Sequence, residues 1–336
     1  MAYAATISSD LSGHASVGEI APLSETFGHY RQLVYCFVEQ SVLSSLVWPD
    51  LTTVIDAYRD EMQGGEQPSY AELLPLLACQ AVGGSAELAV PVVAAWLFYN
   101  LASDLFDDLV DQDGKQRIWN EWAPGRAMCV GLGLVAAAQI CLSHLETNLA
   151  AQGAIIRRYG QTMAIAARQQ HYQARICSLE DYFQHILGKT GYVIATVAWS
   201  GARLQTEDEV LLKALHEYGL AVGVLVQLLD DLRDLQPGSH LSDLAANTYT
   251  LPIIYALSQT KHPRYTELTE LLAGDLTNRA IIDAIGDIVN EMGAVAYTLS
   301  LVKVYEQKAL NALCALPKEH TIHLVRYAKN FLGQLG

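Results

Sequence analysis

Seven aspartates in two helical stripes place the tightest constraint on how this chain can fold. Asp104, Asp107, Asp108 and Asp111 recur at i, i+3, i+4 and i+7, and Asp230, Asp231 and Asp234 echo the later part of that spacing. On an α-helix each stripe puts its carboxylates on one face. Like charges so placed cost roughly 0.2–0.5 kcal/mol per pair. Gly114 and Pro237-Gly238 put both stripes near helix C-termini, where the macrodipole disfavours anions as well. Something positive must offset these costs, and two oxygen-rich walls facing each other suit Mg²⁺. The stripes are far apart in sequence, so only one compact bundle of helices lets them face.

The remaining sequence agrees with a bundle. Of 336 residues, 51% are apolar and 17% charged, which requires helices buried on most sides. Helical periodicity covers about 23–45, 49–62, 70–82, 87–112, 121–149, 152–174, 179–200, 207–235, 249–259, 264–272, 277–292, 294–315 and 318–334. No alternating strand pattern runs far enough to compete. Residues 1–20 read as a flexible tail and 21–336 as one all-α domain.

A net charge of −15 without any lysine or arginine run argues against a nucleic-acid partner. It also makes an anionic substrate hard to hold without metal. Cys36, Cys79, Cys129, Cys141, Cys177 and Cys314 are scattered singly in apolar segments, which predicts buried free thiols in a reducing compartment. The first ten residues lack a basic region and a continuous apolar core, unlike a signal peptide. The most apolar stretch, Leu88 to Leu101, contains Pro91 and Asn100 and is too short to span a bilayer. A cytoplasmic protein without membrane insertion is the expectation.

A lone acidic run usually marks a solvated helix face. Here Leu97, Phe98, Leu101, Leu105, Phe106, Leu109 and Val110 flank the first stripe, and Val222, Val224, Leu225, Val226, Leu228, Leu229 and Leu232 the second. Those flanks predict that the carboxylates lie inside the bundle, where they must be paired, protonated or metal-bound.

The chain resembles the trans-isoprenyl diphosphate synthase (polyprenyl synthetase) family over roughly residues 60–260. Asp107-Asp108-Leu-Val-Asp111 and Asp230-Asp231-Leu-Arg-Asp234 match its two DDxxD motifs, and Gln227 stands before the second. Lys189-Thr190 matches the family's Lys-Thr on the intervening helix, and Ser242-Asp243-Leu244 through Thr250-Leu251-Pro252-Ile253-Ile254 matches the stretch beyond. The resemblance implies an isoprenoid-synthase α-bundle with a central cavity, several Mg²⁺ ions and an allylic prenyl diphosphate as substrate. It implies metal ligation by Asp107, Asp108, Asp111, Asp230 and Asp234, with Asp231 ligating or orienting. It assigns the diphosphate to Lys189 and Gln227, with Arg233, Lys115 and Arg117 as further cations. Dimers are usual in the family, so a homodimer is expected. Asp104, one turn upstream, is either a supporting residue or surplus charge. Trp96, Phe98, Tyr99, Phe106, Tyr192 and Trp199 lie on or near these helices and are candidates to line that cavity, although each taken singly reads as core packing.

The departures are as informative. Chain-elongating members carry a Gly-Gly-Lys-Arg-x-Arg-Pro segment that binds isopentenyl diphosphate; here Gly64-Gly65-Glu66-Gln67-Pro68-Ser69-Tyr70 has no cation. The family's upstream histidine falls at Asn100, its later lysine at about Thr248, and its phenylalanine before Gln227 at Val226. Hydrogen bonds to charged groups contribute roughly 1.5–3 kcal/mol each, so losing several should empty that subsite. The leading expectation is therefore a class I terpene synthase that ionises one prenyl diphosphate and needs no isopentenyl diphosphate. The alternatives are a trans-polyprenyl diphosphate synthase, a prenyltransferase to another acceptor, and an inactive partner subunit.

Overall fold

The computed structural model describes residues 23–64, 71–111, 117–171, 178–235, 244, 249–276 and 278–333. Every element among them is helical. The α-helices of eight or more residues are, in chain order, α1 (Leu23–Phe37), α2 (Pro49–Gly64), α3 (Leu74–Ala81), α4 (Ala86–Asp111), α5 (Pro124–Ser143), α6 (Leu149–His171), α7 (Leu179–Ile186), α8 (Tyr192–Arg203), α9 (Glu209–Asp234), α10 (Leu251–Ser258), α11 (Tyr265–Leu272), α12 (Arg279–Glu291), α13 (Ala294–Ala312) and α14 (Lys318–Gly333). Side-chain caps start several of them: Ser178 Oγ accepts from the Asp181 amide, and Asp208 Oδ1 from the Val210 amide.

The periodicity misses two departures from α geometry. Val38–Leu43 continues α1 as a π-helix, and Leu187–Gly191 is a π-helical turn between α7 and α8. One extra residue in a turn leaves the apolar pattern almost unchanged, so periodicity does not register it.

The helix α8 packs against both α4 and α9, and its π-turn packs against α9 and α6. The two aspartate-bearing helices thus flank one element. Glycines set the close approach. A Cβ on Gly219 would lie 2.7 Å from Ala195 Cα, and one on Gly223 would lie 2.8 Å from Gly191 Cα and 3.0 Å from Thr190 O. Only a residue without a side chain lets the two backbones come this near.

One large core joins α1–α6, α8 and α9 with α13 and α14, and α10–α13 enclose a smaller one around Ile253, Leu268, Ile285 and Ile288. A third cluster, including Tyr182, Leu228, Leu232, Leu251 and Ile254, packs around the end of α9.

Two expectations are corrected. Ala86–Val110 and Pro124–Ser143 are each long and apolar enough to cross a bilayer, more than the Leu88–Leu101 stretch suggested. The first is 78% buried in the bundle, which accounts for its composition. Among the cysteines, Cys79 and Cys141 are buried, but Cys36, Cys129 and Cys314 are exposed. The outer faces of α1 and α5 carry apolar and thiol side chains as well as polar ones, and this defeats burial inferred from local composition. Cys177 and the 1–20 tail lie outside the described residues.

Candidate functional site

The first acidic motif closes α4 and the second closes α9. Between them, the Leu187–Gly191 turn reaches both. Lys189 Nζ lies 3.4 Å from Asp107 Oδ2. Its neighbour Thr190 donates from Oγ1 to Gln227 Oε1 at 3.2 Å, and Gln227 Nε2 donates to Asp231 Oδ1 at 3.1 Å. Adjacent residues of one turn are therefore linked to opposite acidic motifs, Lys189 directly and Thr190 through Gln227. A regular α-helix projects successive side chains 100° apart; the π-turn widens the helix at this point.

Burial corrects the sequence expectation. Only Asp231 is enclosed, at 2% exposure; Asp104, Asp107, Asp108 and Asp234 are half-buried and Asp230 is exposed. In these last turns Leu105, Leu228, Leu229 and Leu232 are buried, while Val110, another apolar flank, is 62% exposed, so apolar neighbours do not imply enclosed carboxylates. The Asp111 side chain, with Lys115 and residues 65–70, lies outside the described residues.

Asp231 is a hub. Its Oδ2 accepts from Tyr182 Oη at 2.6 Å and from the Leu251 amide at 2.8 Å, while Oδ1 takes Gln227. Its enclosed oxygens thus accept from three donors on three different elements, which ties α9 to α7 and to the start of α10. Its neighbours point elsewhere: Asp230 pairs with Arg233 at 2.6 Å within the same helix. Asp108 Oδ2 accepts from Trp119 Nε1 at 2.7 Å. Arg117 sits 2.9 Å from Glu61 and 3.8 Å from Asp104, with its guanidinium over the Trp119 ring. Arg233 and Arg117 thus pair with carboxylates rather than standing open to an anion.

His185, one turn before Lys189, is buried; desolvation and then the Lys189 charge hold its imidazole down at about 4. It stays neutral beside the site.

Among the described residues no three His, Cys, Asp or Glu side chains gather closely enough to hold an ion alone. The donor chemistry nonetheless fits a hard divalent cation. Mg²⁺ commonly takes one or two carboxylates, keeps waters and completes its shell with substrate phosphate oxygens. Asp107 and Asp108 on one side and Asp230 and Asp234 on the other supply carboxylates in that number.

Sequence reasoning missed Tyr182, Trp119 and the Leu251 amide. Tyr182 reads as one more helical aromatic; its place seven residues before Lys189 is the only hint of its role.

An all-α bundle with paired acidic helix ends is the isoprenoid-synthase type of fold. The polyprenyl synthetase family model matches residues 71–289, and the chain belongs to that family. Geranylgeranyl diphosphate synthase of Mycobacterium tuberculosis is 28% identical over 231 residues, 64% of this chain and 65% of that protein. Component 2 of Bacillus subtilis heptaprenyl diphosphate synthase is 26% identical over 249 residues, covering 70% and 69%. The chain thus aligns with just under two thirds of the mycobacterial relative's length. A polyprenyl synthase of Caulobacter crescentus CB15, crystallised with calcium and isoprenyl diphosphate, superposes with a TM-score of 0.76 at 22% identity, covering 92% of this chain and 94% of that one. The relatives' names favour the chain-elongating alternative over the one-substrate terpene synthase expected first.

Proposed function

We propose that this chain is a divalent-metal-dependent prenyltransferase of the trans-polyprenyl diphosphate synthase type, with Mg²⁺ the metal and an allylic prenyl diphosphate the substrate. The observation that carries the reading is the Lys189-Thr190 turn, which touches Asp107 on one acidic motif and, through Gln227, Asp231 on the other. The relatives named above, all prenyl diphosphate synthases, support it.

Asp107, Asp108 and Asp111 with Asp230 and Asp234 would hold the metal, whose Lewis acidity stabilises charge on a departing diphosphate. Lys189 contributes a preorganised ammonium for the same oxygens, so its attraction grows as the carbon–oxygen bond breaks. Gln227 and Asp231 fix the second acidic helix against the turn. The apolar α4 and α9 flanks exclude water from the allylic cation that ionisation leaves.

The cation-free Gly64–Tyr70 segment favours a second reading, ionisation of one prenyl diphosphate without isopentenyl diphosphate. Arg117, a candidate replacement cation, is engaged by Glu61 and Asp104.

Purified protein with Mg²⁺ and geranyl, farnesyl or geranylgeranyl diphosphate, with and without isopentenyl diphosphate, decides between them. Longer prenyl diphosphates formed only with isopentenyl diphosphate support the first reading. Pyrophosphate and a hydrocarbon or alcohol formed without it support the second. Inertness under every condition, including added cell extract, would sink both.

A further inference from the structure

The Leu187–Gly191 turn is tied to α9 at two places that converge on a single carboxylate. Tyr182, on α7 ahead of the turn, donates directly to Asp231 Oδ2 at 2.6 Å. Thr190, inside the turn, donates to Gln227, which donates to Asp231 Oδ1. Lys189 stands between these two ties and reaches across to Asp107 on α4. The Leu251 amide, at the start of α10, closes the same hub at 2.8 Å.

We infer that Tyr182 is a positioning residue: its hydroxyl, acting through Asp231, clamps the π-turn so that the Lys189 ammonium is aimed at the first acidic motif. The physical need is clear from the geometry. A π-turn is less stable than α-helix, and the five residues Leu187–Gly191 would relax toward regular geometry if nothing pinned both ends. Relaxation by one residue would swing Lys189 about a quarter-turn around the helix axis, away from Asp107. Tyr182 is 3% exposed and Asp231 2%, so water cannot replace the bond between them. The third apolar cluster, with Ile186, Leu228, Leu232 and Ile254, seals the pair from solvent.

The inference rests on the proposed role of Lys189, and the two fail separately. In wild-type protein that turns over a prenyl diphosphate, Tyr182→Phe should lower kcat/KM about 10–100-fold, the usual range for a group that orients a binding residue. In a Lys189→Gln background the same change should cost no more than about threefold, because the group it aims is already gone. Thr190→Val should show the same non-additivity and decides the matter if Tyr182→Phe does not fold. Amide hydrogen exchange over Leu187–Gly191 should quicken at least about tenfold in Tyr182→Phe, a readout independent of turnover. Additive losses, unchanged activity, unchanged exchange or misfolding of both variants would each overturn the clamp. A wild-type protein inert toward every prenyl diphosphate would instead overturn the functional reading and leave the exchange result to judge the clamp alone.

Discussion

The Lys189 ammonium and the Asp107 carboxylate, on elements 82 positions apart in sequence, meet at 3.4 Å between two acidic motifs. Both groups are partly solvated, with side-chain exposures of 25% and 34%, so the pair adds little to stability. Under the proposed function its significance is placement: a cation already sits where the prenyl diphosphate would arrive. Lys189→Gln should therefore lower kcat/KM by about 100-fold or more while the thermal midpoint moves little. Steady-state kinetics beside a thermal melt checks both halves.

At Gly223 the backbone of α9 packs directly against that of the π-turn. In Gly223→Ala the new Cβ meets Gly191 Cα at 2.8 Å and Thr190 O at 3.0 Å, both backbone atoms that cannot rotate aside. The expected cost is about 1–3 kcal/mol from overpacking, together with a loss of activity as the turn shifts. Denaturant titration measures the first. Gly153→Ala, where a Cβ meets nothing within 4 Å, serves as the control expected to be neutral or stabilising.

Arg31 and Glu72 form a buried ion pair at 2.6 Å, with side-chain exposures of 8% and 4%. Burial pushes the Glu72 carboxyl up even beside the guanidinium. Arg31→Met should destabilise the fold by about 3–5 kcal/mol because it strands that acid, whereas Arg31→Met with Glu72→Leu should recover most of the loss. Chemical denaturation of the single and double variants tests this, and equal losses in both would contradict it.

His185 makes stability depend on pH with a definite sign. Its folded value is about 4 against 6.5 for the free side chain, lowered first by desolvation and then by Lys189. Between these values the unfolded chain binds more protons than the native one, so stability falls as pH drops through this window. Above about pH 6.5 the contribution is fully present. His185→Gln should flatten the fall measured between about pH 7 and about pH 5, and an unchanged slope would contradict the assignment.

Much of the architecture was legible because helical periodicity, glycine breaks and acidic spacing are local properties. The helices bearing Asp107 and Asp230 end within a residue of where the pattern places them. Burial was not legible: the apolar neighbours of Asp107 and Asp230 suggested enclosure, yet Asp107 is only half-buried and Asp230 is exposed, while Asp231 beside it is enclosed. Nor could sequence show that Asp231, one residue from Asp230, turns inward onto Tyr182 and Leu251. That depends on the rotation of α9 against two other helices. The π-turn at Lys189 escaped for a related reason, since one inserted residue shifts geometry without shifting composition. Arg117 and Arg233 could be counted as cations but not assigned partners before Glu61, Asp104 and Asp230 were seen beside them.

Pyrophosphate release from an allylic prenyl diphosphate by wild type, Asp107→Asn and Asp230→Asn, with Mg²⁺ and then with the metal chelated, tests the joint role of the two motifs most directly. Metal-dependent release by wild type, reduced about 100-fold or more in each variant, is the expected result. Release that survives chelation, or persists undiminished in both variants, would contradict it.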